Sequence, residues 1–177
     1  MAITVDLHNP HFVIKCDGLF KASEISKLIK DAGILTETEL AYAFTCCGHY
    51  IKIGMSDNTS KMTGERVYRQ ASNIAGWDTI PRGSSGKDIL PSLVEFENEY
   101  GFGVHINDVE IHIWDVTNIT NENRDQSNAK VAEDRLLTQY EMMHGKLPVG
   151  NPKDTRYRGS FVSNTIFLNL FDEDEDE

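Results

Sequence analysis

One segment in the first third of the chain concentrates side chains able to do chemistry: Ala41-Tyr42-Ala43-Phe44-Thr45-Cys46-Cys47-Gly48-His49-Tyr50-Ile51-Lys52-Ile53-Gly54-Met55-Ser56. Residues 40–45 and 50–55 are β-prone runs, and Cys46-Cys47-Gly48-His49 between them reads as a tight turn. Side chains alternate along a strand, so Tyr50 and Lys52 are expected on one face. Tyr42, on the partner strand, is expected close to them across the pair. A glycine ends the second run, and a turn leads to a helix carrying Arg66. A phenol, an ammonium and a guanidinium thus converge on one patch. Positive charge beside a phenol favours its ionised form, so a lowered tyrosine pKa is expected there. Farther along, Glu133 falls in a late helix and Asn151 in the loop after it. A carboxylate is what this set still needs to hold a divalent cation.

The elements that must position these groups follow from pattern. Residues 3–15 read as one or two short strands broken at Asn9-Pro10. Ser23 is placed to cap a helix containing Ile25, Leu28 and Ile29, with Gly33 as its stop. Thr63 is placed to cap the helix with Glu65, Arg66, Val67, Tyr68, Arg69 and Gln70. A helix is expected from about Asp88 to Tyr100, with Pro91 in its first turn. Val109, Ile111 and Ile113 alternate as in a strand. Residues 129–143 form an amphipathic helix through Val131, Leu136, Leu137, Tyr140 and Met143. Phe161 to Phe171 reads as a last strand. The fold class expected is α+β, a small mainly antiparallel sheet flanked by helices, with N-terminal and C-terminal additions. Residues 1–39 form an N-terminal extension, 40–171 the main domain and 172–177 a disordered acidic tail.

At the residues of the hairpin the sequence resembles the GIY-YIG nuclease family, in the branch whose second motif reads Lys-Ile-Gly. Ala41-Tyr42-Ala43-Phe44 stands where the first motif would be, and Lys52-Ile53-Gly54-Met55-Ser56 where the second would be. Glu65-Arg66-Val67-Tyr68-Arg69-Gln70 resembles the arginine helix. Ala132-Glu133-Asp134-Arg135-Leu136-Leu137 resembles the glutamate helix, and Asn151 the asparagine that follows it. The first motif lacks its glycine. Lys52 stands where the second motif has tyrosine, with Tyr50 two residues earlier, and Arg69 competes with Arg66 one turn away. The resemblance covers residues 40 to 151. It implies metal-dependent hydrolysis of DNA phosphodiesters by in-line attack of water. In that scheme Tyr42, or else His49 or Tyr50, is the general base. Arg66 stabilises charge on the phosphate oxygens, and Lys52 helps hold the base and the leaving side. Glu133 binds Mg²⁺ or Mn²⁺, which supports the leaving 3′-oxygen.

Charge appears at first to oppose a DNA substrate. The 177 residues carry 28 acidic and 17 basic side chains, a net charge of −11. The last six residues, Asp172 to Glu177, are all acidic; without them 22 acidic groups face 17 basic ones, a balance of −5. Such a block is solvated, and either aids solubility or competes with an anionic ligand. A locally basic segment, His144, Lys146, Lys153, Arg156 and Arg158, lies beside the proposed glutamate helix. With Asn151 and Arg69 it forms the expected DNA-binding set, and Lys61, Arg82 and Lys87 extend it. One site cuts one strand, so a homodimer is an expected partner state.

Three cysteines are too few for a disulfide scaffold. Adjacent Cys46 and Cys47 are poor geometry for zinc, so free thiols are expected. The start of the chain has no basic or apolar leader pattern, and no run is long enough to span a bilayer, so a cytoplasmic protein of a bacterium or virus-infected host cell is expected, without membrane partners. Two other functions fit the same residues. One is a non-catalytic interaction protein on the same fold. The other is an acidic nucleic-acid mimic or inhibitor led by the tail.

Overall fold

The computed structural model describes residues 4–17, 39–57, 90–119 and 125–157, with Glu24, Lys27, Leu28 and Asp31, which are helical. Four antiparallel strands form one sheet: β1 (Phe12–Lys15), β2 (Leu40–Cys46), β3 (His49–Ser56) and β4 (Val109–Asp115), in the order β1-β4-β2-β3. Among the described residues, the helices α1 (Leu90–Tyr100) and α2 (Asn128–His144) accompany it, with a 3-10 turn at Ile106–Asp108. The described architecture is therefore α+β.

The hairpin forms because its turn can adopt positive φ twice. Cys47 (φ 49) and Gly48 (φ 81) give the mirror-image turn whose twist matches antiparallel strands. Opposite Ile51 the ladder shifts: Phe44 pairs with Lys52, but Thr45 pairs with Tyr50. Ile51 is thus an extra residue, a β-bulge, and it interrupts the alternation of side chains along β3.

Every residue of β2 is buried, because both faces of the sheet are covered. On one face Tyr42, Phe44, Ile51, Ile111 and Ile113 pack with Leu93 and Phe96 of α1. On the other, Ala41, Ala43, Ile53 and Trp114 pack with Ala129, Ala132, Leu136, Leu137 and Tyr140 of α2. The alanines of strand and helix let the backbones approach. Ser127 caps α2 by accepting from Lys130 N, and Gly145 (φ 74) ends it with its N–H on Glu141 O.

The described residues near the N-terminus pack into the sheet domain. β1 supplies its fourth strand, with Phe12 opposite Ile113. Val5 and Leu7 enter the α2-side core. Their backbone is strapped down by Gln139, which accepts from Leu7 N at 2.8 Å and donates to Val5 O at 2.7 Å. The expected arginine helix, the strand at 161–171 and the tail at 172–177 lie outside the described residues. Among the described residues no helix is long and apolar enough to cross a membrane.

Candidate active site

The bulge at Ile51 decides which hairpin side chains can act together. Lys52 lies opposite Phe44, whose side is that of Tyr42 and α1; Tyr50 lies opposite Thr45, whose side is that of Ala43 and α2. The expectation that Tyr50 and Lys52 share a face is therefore corrected, since one inserted residue turns every later side chain over. Tyr50 packs against Tyr140 with ring centroids 5.6 Å apart and donates its hydroxyl to Leu7 O at 3.1 Å. Burial, with Asp6 adding to it, pushes its phenol above the ordinary value, the reverse of the expected lowering.

Tyr42 keeps the α1 side. It pairs with Gly54 across the ladder, and its ring lies over that glycine. A Cβ on Gly54 would stand 2.6 Å from Tyr42 Cζ and 2.7 Å from its hydroxyl oxygen. Only glycine leaves room for the phenol, which gives the glycine of the Lys-Ile-Gly motif a physical reason. Tyr42 is buried, with 2% of its surface exposed. His49 is exposed at the other end of β3, its ring tilted by 33° against that of Tyr100 at a centroid distance of 4.3 Å.

The outer side of β3 is closed by the loop after α2. Asn151 accepts from Ile53 N at 2.9 Å and donates to Ile53 O at 2.7 Å. Gly150 N donates to Ile51 O at 2.7 Å. A Cβ at Gly150 would meet Ile51 O at 2.5 Å and Lys52 Cβ at 2.6 Å, so this loop is pressed against the base of the Lys52 side chain. The Asn151 amide thus pairs with the β3 backbone, and it helps to set where β3 and Lys52 lie.

Glu133 is carried by α2. It is largely buried, and its carboxyl sits above the ordinary range because burial penalises the charge; Lys130 and, more weakly, Lys52 act in the opposite sense. Lys52 and Glu133 therefore lie within electrostatic reach of each other. Glu133 Oε2 accepts from Lys130 Nζ at 2.9 Å. The same ammonium donates to Asp134 Oδ1 at 2.7 Å and to Thr155 O at 3.0 Å. Two carboxylates and a carbonyl facing one cation form an oxygen set of the type a hard divalent ion prefers. Among the described residues there is no group of three or more His, Cys, Asp or Glu placed to hold a metal. A cation at Glu133 would therefore take most of its ligands from water and substrate, as Mg²⁺ commonly does.

The basic segment is mostly engaged within the protein. Lys146 Nζ pairs with Glu99. Arg156 Nη2 pairs with Glu141 Oε2 at 2.6 Å and Asp154 Oδ2 at 2.8 Å, and its Nη1 donates to Thr138 Oγ1. Lys153 is exposed. Arg66, Arg69, Arg158, Lys61, Arg82 and Lys87 lie outside the described residues. The three cysteines are free thiols; Cys16 and Cys46 are buried, and burial pushes each up to about 12.

The structure thus sets the Gly150-Asn151 loop against β3 and Lys52, and brings Glu133 within electrostatic reach of Lys52. Tyr42 lies on the layer away from α2, and Tyr50 is set apart from it. Lys130, Gly150 and Thr155 were missed from sequence. Lys130 had a usable signal, since it stands three and four residues before Glu133 and Asp134 on an expected helix, the spacing of ion pairs. Compared with protein-family models, curated proteins and solved structures, the chain matches none.

Proposed function

We propose that this chain is a divalent-metal-dependent DNA endonuclease of the GIY-YIG type, hydrolysing phosphodiester bonds. The observation that carries the reading is that the Lys52 ammonium lies within electrostatic reach of the Glu133 carboxyl, the two residues coming from two elements the resemblance selected independently. Glu133 would hold Mg²⁺ or Mn²⁺, whose chemistry when bound is to stabilise negative charge on the leaving oxygen. Lys52 contributes a fixed positive charge beside that carboxylate, suited to orient a phosphate. Gly150 and Asn151 fix the strand under Lys52. Gly54 leaves the space that the Tyr42 phenol occupies, and Tyr42 is the proposed general base. Tyr42 is buried on the α1 side, away from α2, so this role requires that substrate binding admit a water to its hydroxyl. Arg66 is the proposed partner for the phosphate oxygens.

The test is supercoiled plasmid with Mg²⁺. The wild type nicks it, while Glu133→Ala and Lys52→Met do not. Intact plasmid with wild type across Mg²⁺, Mn²⁺ and Ca²⁺, and with branched or single-stranded DNA, ends the proposal.

A second reading is favoured by one observation: Lys130, Lys146 and Arg156 all pair with carboxylates of the chain itself. Cations so engaged are poorly available to phosphates. This reading is a non-catalytic interaction protein on the same fold. It requires no cleavage under any of these conditions and no metal-dependent rise in melting temperature.

A further inference from the structure

Lys130 occupies a cradle of three oxygens. Its ammonium donates to Glu133 Oε2, Asp134 Oδ1 and Thr155 O at 2.9, 2.7 and 3.0 Å. The side chains of Lys130, Glu133 and Asp134 are only 20%, 12% and 17% exposed. Two of the oxygens belong to carboxylates three and four residues along the same helix, and the third comes from the segment that folds back onto α2 after the Gly150 loop. The cradle has the donor type and the charge that a hard divalent ion selects, and a lysine fills it.

We propose that Lys130 is a built-in counter-ion at Glu133, and that a divalent cation binds this carboxylate only as the Lys130 ammonium is displaced. The inference rests on the nuclease reading, in which Glu133 is the metal-binding carboxylate. Its logic is that of buried charge. A carboxylate removed from water needs a positive partner for as long as it is ionised, and loses much stability without one. Lysine suits a partner that must leave, because its compact ammonium rides on a flexible stem and is strongly hydrated once outside. While Lys130 stays, the two carboxylates are partly neutralised and free cation is held weakly. A phosphate arriving with its own oxygens and metal shifts the exchange by adding ligands that the protein lacks.

The experiment titrates the full-length protein with Mn²⁺ and counts free ion by electron paramagnetic resonance. Lys130→Met is compared with wild type and with Lys15→Met, which removes the same charge from β1 at the far edge of the sheet. Lys130→Met is expected to bind Mn²⁺ at least about tenfold more tightly, because a unit charge about 4 Å away acts strongly on a divalent ion even near the surface. Lys15→Met stays near wild type, and Lys130→Met with Glu133→Gln loses the gain. Equal affinities for Lys130→Met and Lys15→Met overturn the proposal. Should Lys130→Met fail to fold by circular dichroism, wild type carrying ¹³C at the lysine ε-carbons is titrated with Mg²⁺ instead. A shifted Lys130 resonance supports displacement, and one that stays in place throughout overturns it. The two ideas separate cleanly. Tighter Mn²⁺ binding with no plasmid cleavage ends the nuclease reading alone, while Mg²⁺-dependent cleavage with unchanged Mn²⁺ affinity ends the counter-ion role alone.

Discussion

Asn151 pairs with Ile53 as a strand residue would, its side-chain oxygen taking the Ile53 N–H and its side-chain nitrogen giving to the Ile53 carbonyl. The amide thereby covers part of the outer side of β3 and anchors the loop that presses on Lys52. Asn151→Ala removes both bonds at once and leaves two backbone groups unsatisfied. The expected cost is about 1–3 kcal/mol, read from the urea midpoint. Asn151→Asp keeps the acceptor but sets a carboxylate against the Ile53 carbonyl, so it should be no better than alanine at neutral pH. Stability equal to wild type in both variants would remove the anchor role.

Tyr42 and Gly54 are a second matched pair. Gly54→Ala pushes a methyl group to within 2.6 Å of the buried Tyr42 ring, so the ring must shift within the core. The expected loss is about 1–3 kcal/mol. In a Tyr42→Ala background the clash is gone, so the same glycine change should cost less, with a coupling of about 0.5–3 kcal/mol in the double-mutant cycle. Additive effects would show that the ring and the glycine do not constrain each other.

Much of this arrangement was legible because it is local. Cys47-Gly48 marks its own turn, Val109, Ile111 and Ile113 mark their strand, and α2 keeps its apolar stripe through Leu136, Leu137 and Tyr140. The bulge at Ile51 carries no such mark: nothing in His49-Tyr50-Ile51-Lys52 signals a shift that depends on the partner strand. Strict alternation therefore put Tyr50 on the wrong side. The place of β1 beside β4 was hidden for a related reason, since pairing between residues about a hundred positions apart is set by the whole sheet. Asn151 was found by resemblance, but its partner was not, because a side chain that mimics a backbone leaves no pattern in sequence.

On the proposed nuclease reading, the bulge has a kinetic consequence. Tyr50 faces α2 and spends its hydroxyl on Leu7 O, away from the side of Lys52. Tyr50→Phe should lower stability by about 0.5–1.5 kcal/mol through that lost bond. Plasmid nicking should continue near the wild-type rate, whereas loss of a general base slows a reaction by about 10²–10⁴. A collapse of nicking in a well-folded Tyr50→Phe would return the base to Tyr50.

Glu133 makes stability depend on pH in a direction that can be worked out. Burial leaves its carboxyl above the ordinary value of 4.5 in the folded protein, even with Lys130 beside it. A carboxyl with a raised folded pKa holds its proton more tightly in the native state than in the unfolded chain. Its contribution is therefore full below the unfolded value and is lost as pH rises through the folded one. Glu133→Gln carries no titrating proton and skips that loss. Measured by urea midpoint from pH 4 to pH 8, the variant should gain on wild type as pH rises and level off once the native carboxyl is ionised. The lost bond to Lys130 adds an offset, and the trend with pH still reports Glu133. A gap that instead moves in favour of wild type with rising pH would mean that Lys130 and Lys52 outweigh burial, leaving Glu133 a stabilised anion rather than one short of positive charge.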